Sequence, residues 1–264
     1  MDSKIRFGVC GGLDAAAEVK EIGFDFLEGT VADFLMPDAS DEEWNAFLSQ
    51  VRAAAFPVEA CNCFIPGKFR LTGPAADHAP ALEYAVKACR RADVMGVKTI
   101  VLGSGGARNV PEGFSLAEGR AQFIAFAREL GKRIADCAVT IALEPLNRGE
   151  SNILNSVADG ISYVDEIDSP KIRLLADFYH MALENESAES LIKAGSRLVH
   201  CHIAEKAHRT SPGAEGDDFA AQFAALAKIG YAGRVSCECA WPSEPAQIRN
   251  ARVKALSVLR GFSA

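Results

Sequence analysis

No apolar run in the 264-residue chain reaches the roughly 18 residues that a membrane-spanning helix needs, so no such helix is expected. Positive charge is in deficit: 28 Lys+Arg against 35 Asp+Glu leave a net charge of −7. A nucleic-acid partner is therefore not expected, because phosphate binding needs a basic face. Zinc-knuckle spacing is missing too. Cys61-Asn-Cys63 and Cys237-Glu-Cys239 place one residue between thiols, where such sites need two to four. The start, Met-Asp-Ser-Lys-Ile-Arg, holds no apolar signal core. The eight cysteines are accordingly expected as reduced thiols in a cytoplasmic protein rather than as a disulfide framework. No low-complexity tract or linker interrupts the chain.

What remains is a regular alternation. Short apolar or β-branched runs at 5–10, 24–28, 57–63, 98–103, 139–144, 172–178, 198–204 and 234–238 read as strands. Between them, apolar residues recur three and four apart, as in Leu82, Val86 and Cys89. That spacing predicts helices near 14–22, 41–54, 75–95, 115–137, 156–167, 187–195, 217–229 and 244–260. Asp41 begins the second, and Ser187 and Asp217 are candidate caps for two more. Strands alternating with helices imply βαβ units and a parallel sheet. Eight units in this length predict a (β/α)8 TIM barrel, one domain spanning 1–264. An open doubly wound sheet is the rival. It usually carries a glycine-rich dinucleotide turn, which Gly8-Val-Cys-Gly11-Gly12 does not supply.

In such a barrel, chemistry sits at the C-terminal ends of the strands. The last four runs each finish in a carboxylate or imidazole: Glu144, Asp177, His202 and Glu238. An unpaired carboxylate is costly to bury, and three of them converging on one barrel mouth would repel. A divalent cation removes both difficulties. Three carboxylates and one imidazole suit a hard or borderline ion such as Mn²⁺ or Mg²⁺, with Co²⁺ also compatible.

These residues resemble the xylose-isomerase-like barrel superfamily of sugar isomerases and epimerases, and within it most closely the ketose 3-epimerases (tagatose and psicose epimerases). The resemblance is strongest over 142–150, 177–181, 200–213 and 236–241. It implies one Mn²⁺-type ion on Glu144, Asp177, His202 and Glu238, with Glu144 and Glu238 also acting as the catalytic proton-transfer pair. Asp177-Phe-Tyr-His180 matches the family's aspartate-x-x-histidine signature, which gives His180 a substrate oxygen. Glu150 matches a substrate-hydroxyl contact, and Arg209 the family's substrate arginine. The stretch from His202 to Pro212-Gly213 is one residue longer than the usual pattern, so His208 is the alternative to Arg209. The implied enzyme is a metal-dependent sugar epimerase or isomerase that moves a proton on carbon next to a carbonyl. Inosose-dehydratase and hydroxypyruvate-isomerase chemistry are alternatives on the same site. Abasic-site endonuclease and inactive sugar-binding protein are the remoter readings. The partner is a small sugar, and rim helices would allow a homodimer or homotetramer.

Several further residues have two readings. His200 shares a strand face with His202 and reads as support or core. Glu28 reaches substrate or makes a structural ion pair. Asn62 and Phe64 follow the third strand and are candidates to line the pocket. Gly103-Ser-Gly-Gly-Ala-Arg108 reads as a flexible active-site loop rather than a phosphate cradle, since it lacks the Lys-Ser/Thr of a phosphate loop. His78 is expected in solvent at a helix start. Trp241 either closes the pocket or packs under its loop.

Overall fold

The structure is a computed structural model that describes residues 5–262. Residues 1–4 and 263–264, on which the leader reading and the domain limits partly rest, lie outside the described residues. Eight parallel strands close into a barrel in sequence order: β1 (Arg6–Cys10), β2 (Phe26–Thr30), β3 (Val58–Asn62), β4 (Thr99–Leu102), β5 (Thr140–Leu143), β6 (Ile172–Asp177), β7 (Leu198–Ile203) and β8 (Arg234–Cys237). Each lies at or within two residues of the run that predicted it. The larger helices outside are α1 (Ala16–Ile22), α2 (Asp41–Ala54), α3 (His78–Met95), α5 (Leu116–Arg133), α6 (Val157–Ile167), α9 (Ala220–Lys228) and α10 (Pro245–Gly261). Short helices α4 (Gly105–Arg108), α7 (Phe178–Leu183) and α8 (Glu189–Ala194) sit on the connections.

Local chemistry sets these boundaries. Ser40 caps α2 in a reciprocal capping box with Glu43, so Asp41 is its first residue. The two other expected caps are corrected. The residue before α8 is Ala188, with no side-chain cap, and Ser187 contributes only its carbonyl, to Ser190 N. Asp217 instead accepts from Lys206 N, and α9 starts three residues later. His78 is also not in solvent: its Nε2 bonds the Leu71 carbonyl at 2.9 Å and its ring meets Phe126 edge-on.

The strands' period of two divides their side chains between two cores. One parity, including Ile100, Leu102, Ile141, Leu143 and Leu174, joins the large cluster beneath the helices. The other points into the barrel, where Val101, Ala142 and Leu175 form a separate small cluster. Following that inner parity upward leads from Ala142 to Glu144, from Leu175 to Asp177, from His200 to His202 and from Ser236 to Glu238. It leads equally from Phe26 to Glu28 and from Ala60 to Asn62. The filling is tight: a Cβ on Gly8 would lie 2.4 Å from the Phe26 ring. A barrel interior filled by side chains raises every one of these ends onto one rim.

Candidate active site

Glu144, Asp177, His202 and Glu238 converge at that rim, each offering one ligand atom, with the four atoms within 4.8 Å of one another. His202 is fully buried at the centre. Its Nδ1 lies 3.0 Å from Glu144 Oε1 and 3.1 Å from Glu238 Oε2. Behind it, Nε2 lies 2.8 Å from Glu28 Oε1. The second oxygen of Glu28 meets His200 Nε2 at 2.7 Å. Glu28 therefore takes the Nε2 hydrogen of His202 and leaves Nδ1 to face the two glutamates, the arrangement by which an outer carboxylate orients a ligating imidazole. Both strand residues with two readings thus resolve as support: Glu28 makes a wholly buried ion pair, and His200 braces it. A second group within ligand spacing, Cys10 with Glu28 and His202, belongs to this same support, because its carboxylate and imidazole are already bonded to each other.

The charges are unbalanced. Burial opposes a charged His202 ring, yet Glu28 and Glu238 outweigh it and lift its pKa well above the ordinary histidine value. Burial also pushes the Glu144 carboxyl up, helped by the neighbouring Glu238 charge. Burial acts the same way on Glu238, but His202 and Arg209 overcome it and hold this carboxyl below its usual range. The two glutamates are thus driven in opposite directions by their surroundings. Positive charge is drawn to the point between them, and the oxygen-rich, thiolate-free donor set fits a divalent cation of the Mn²⁺ or Mg²⁺ kind.

Around this centre is a cavity of about 310 Å³ whose lining includes Asn62, Cys63, Ser104, Glu150, His180 and Arg209. Arg209, with φ of 54°, turns inward to Glu238 Oε2 and to Asp177 Oδ2, the latter at 3.3 Å, and its guanidinium lies over the Tyr179 ring. His208 is exposed, so the arginine and not the histidine enters the site. His180 is buried, with Nδ1 2.9 Å from Asn147 Nδ2. The Asn147 oxygen accepts from Gly149 N, which fixes its NH₂ toward His180 and Glu150. His180 then accepts at Nδ1 and carries its hydrogen on Nε2. That nitrogen stands 3.5 Å from Asp177 Oδ2 and has no hydrogen-bond partner among the described residues, and His180 is part of the cavity lining. No sequence pattern points to Asn147, although it lies between Glu144 and Glu150.

The loop after β4 reaches the cavity, as expected, but Arg108 does not. Gly103 and Gly105 line the cavity, and Gly103 has no room for a side chain: a Cβ there would lie 2.2 Å from Glu144 Oε2. Ser104 Oγ accepts from Ile65 N. Arg108 is fully buried and donates to the Glu144 carbonyl at 2.8 Å, to the Leu154 carbonyl and to Ser151 Oγ. Burial lowers its pKa to about 10. It is a tether for the chain leaving β5, not a phosphate ligand. Phe64 is buried in the outer core instead of the pocket. Trp241 packs beneath Arg252, 5.4 Å from its guanidinium.

A family model described as "Xylose isomerase-like TIM barrel" matches residues 16–260. An L-ribulose 3-epimerase of a Methylomonas species is 41% identical over 122 residues, 46% of this chain and 42% of that protein. A D-psicose 3-epimerase of Enterocloster bolteae is 38% identical over 120 residues, 45% of this chain and 40% of that protein. These two matches span about two fifths of the relatives' length. An L-ribulose 3-epimerase of Mesorhizobium japonicum aligns more fully, 30% identical over 234 residues, 84% of this chain and 73% of that protein. Among solved structures, D-psicose 3-epimerase of Clostridium cellulolyticum with D-tagatose superposes with a TM-score of 0.87 at 21% identity, covering 98% of this chain and 99% of that one. A 3-keto-D-glucoside 4-epimerase of Escherichia coli gives 0.81 at 25% identity, covering 98% of this chain and 100% of that one.

Proposed function

Because the chain belongs to the xylose isomerase-like TIM barrel family, we propose that it is a metal-dependent sugar epimerase that inverts carbon 3 of a free ketose. One observation carries the reading: two glutamates from opposite flanks of the rim meet one imidazole nitrogen, at 3.0 and 3.1 Å, over a sugar-sized cavity lined with polar groups. The names of the sequence relatives, L-ribulose and D-psicose 3-epimerases, support the substrate class. In this reading one domain over 1–264 carries the whole activity. The eight unpaired thiols suit a reducing, cytoplasmic setting.

A divalent cation on Glu144, Asp177, His202 and Glu238, Mn²⁺ in our reading, would supply Lewis-acid stabilisation of the negative charge that develops on the substrate oxygens. The protein's own groups do the rest. Inversion requires a proton to leave carbon on one face and return on the other. Glu144 and Glu238 sit on either side of His202 and take these two roles, each a positioned acid–base worth about 10²–10⁴-fold. His180 Nε2–H donates to a substrate hydroxyl, and Glu150 accepts from one. Arg209 anchors Glu238 and closes the rim between Asp177 and Glu150. Glu28 and His200 keep the His202 ring from turning. A net charge of −7 and a rim rich in carboxylates count against a nucleic-acid substrate.

The test is to incubate the Mn²⁺-loaded protein in deuterated water with D-psicose, L-ribulose, D-tagatose, an inosose and hydroxypyruvate. Deuterium entering carbon 3 of a ketose, with formation of its epimer, is the expected result. An absorbing enone from the inosose, with no ketose exchange, would overturn the reading in favour of a dehydratase. Turnover of hydroxypyruvate alone would overturn it in favour of an isomerase.

A further inference from the structure

Two residues that line the cavity each hold a buried polar atom with no hydrogen-bond partner among the described residues: His180 Nε2, a donor, and Asn62 Oδ1, an acceptor. Asn62 closes β3 on the inner parity of the barrel and is only 6% exposed. Its Nδ2 lies 3.1 Å from Glu238 Oε1, the oxygen of that carboxylate turned away from Arg209 and His202. An ionised carboxylate only accepts, so the NH₂ of Asn62 must face Glu238 and its carbonyl must face the other way. A buried amide oxygen without a donor is a standing cost to the fold, removed only when something in the working enzyme donates to it. A donor and an acceptor left open around one cavity match a ligand rich in hydroxyls, since each hydroxyl both gives and takes a hydrogen bond.

We propose that Asn62 is a substrate-binding residue with two simultaneous tasks: its Oδ1 accepts a hydrogen bond from a sugar hydroxyl, and its Nδ2 fixes the rotation of the Glu238 carboxylate. This rests on the ketose-epimerase reading and adds to it a contact from β3, on the side of the mouth opposite His180. The two tasks separate kinetically. Loss of the acceptor weakens substrate binding, and loss of the donor misaligns the proton-transfer group.

The experiment uses the Mn²⁺-loaded protein and whichever of D-psicose, L-ribulose and D-tagatose the wild type turns over fastest. Asn62→Ala is expected to raise KM about tenfold, the size of one lost hydrogen bond, and to lower kcat as well. One Mn²⁺ per chain, titrated by calorimetry, is expected to persist and reports an intact site independently of turnover. Asn62→Asp keeps the shape and the acceptor but sets a second carboxylate against Glu238. Its KM is expected to stay within about threefold while kcat falls about 100-fold. Wild-type KM in Asn62→Ala, or a raised KM with unchanged kcat in Asn62→Asp, overturns the proposal while the ketose reading stands. A wild type inert on all three ketoses overturns that reading, and this inference with it.

Discussion

The two ends of the barrel handle charge in opposite ways. At the N-terminal end, Glu59 lies between two guanidinium groups, Arg6 at 2.7 Å and Arg234 at 2.6 Å, while Asp25 accepts from Phe7 N. A hollow of about 550 Å³ near the start of β6, larger than the active-site cavity, has Arg197 and Asp165 paired at 2.6 Å on its wall. Each of these acids has a donor or counter-ion of its own. At the C-terminal end, Glu28, Glu144, Asp177 and Glu238 gather around three histidines, His180, His200 and His202, and one guanidinium, Arg209. Neither cavity size nor the number of charges therefore marks the end that carries the candidate site. The mark is an excess of one sign, buried, which the protein alone does not neutralise.

Substitutions at the two ends break or sharpen this contrast. The largest effect is expected from Glu144→Gln or Glu238→Gln: ketose turnover falls by about 10²–10⁴-fold or more, with an unchanged far-ultraviolet circular dichroism spectrum. Near wild-type kcat in either variant would falsify the two-glutamate mechanism. Next is Arg108→Met. It strips donors from the Glu144 and Leu154 carbonyls in a fully buried place, and about 3 kcal/mol should be lost in urea titrations. A loss under about 1 kcal/mol would mean that the tether is dispensable.

Cation binding comes third. Mn²⁺ at about 100 times its Kd should stabilise the wild type by about 2.7 kcal/mol over the chelator-treated protein. Asp177→Asn should lose most of that gain, and an equal rise in Tm in both proteins would place the cation elsewhere. The smallest effect belongs to the far end. Glu59→Gln should cost about 1 kcal/mol of stability and leave kcat within about twofold. A kcat loss there as deep as at Glu238 would abolish the distinction between the ends.

Much of the fold and of the site is legible in the amino-acid sequence. An apolar run that stops in Glu144, Asp177, His202 or Glu238 states both the strand and the end at which these four side chains gather, because strand parity and the strand-end rule are local. The less legible residues are those whose role is a partner. Glu28 reads as an ordinary acid at the end of the second apolar run until it is seen in the middle of β2 between His200 and His202, 172 and 174 residues away. Asn62 and Glu238 are 176 residues apart. Arg108 reads as a loop cation because nothing near it in sequence tells that the chain after β5 folds over it. Sequence pattern also leaves His208 as an alternative to Arg209, since they are adjacent; both adopt positive φ, and only the arginine turns inward.

The order of strands and helices, the end of the barrel that carries the candidate site and the acids and imidazoles available to it were set by the sequence, through periodicities that act over a few residues. Tertiary structure alone decided who faces whom across the mouth: which nitrogen of His202 is held by Glu28, which amide supports Glu238, and which side chain enters the site after β7. The reason is geometric. Closing eight tilted strands fixes their stagger jointly, so a contact across the barrel depends on all the registers at once and on no single stretch of chain.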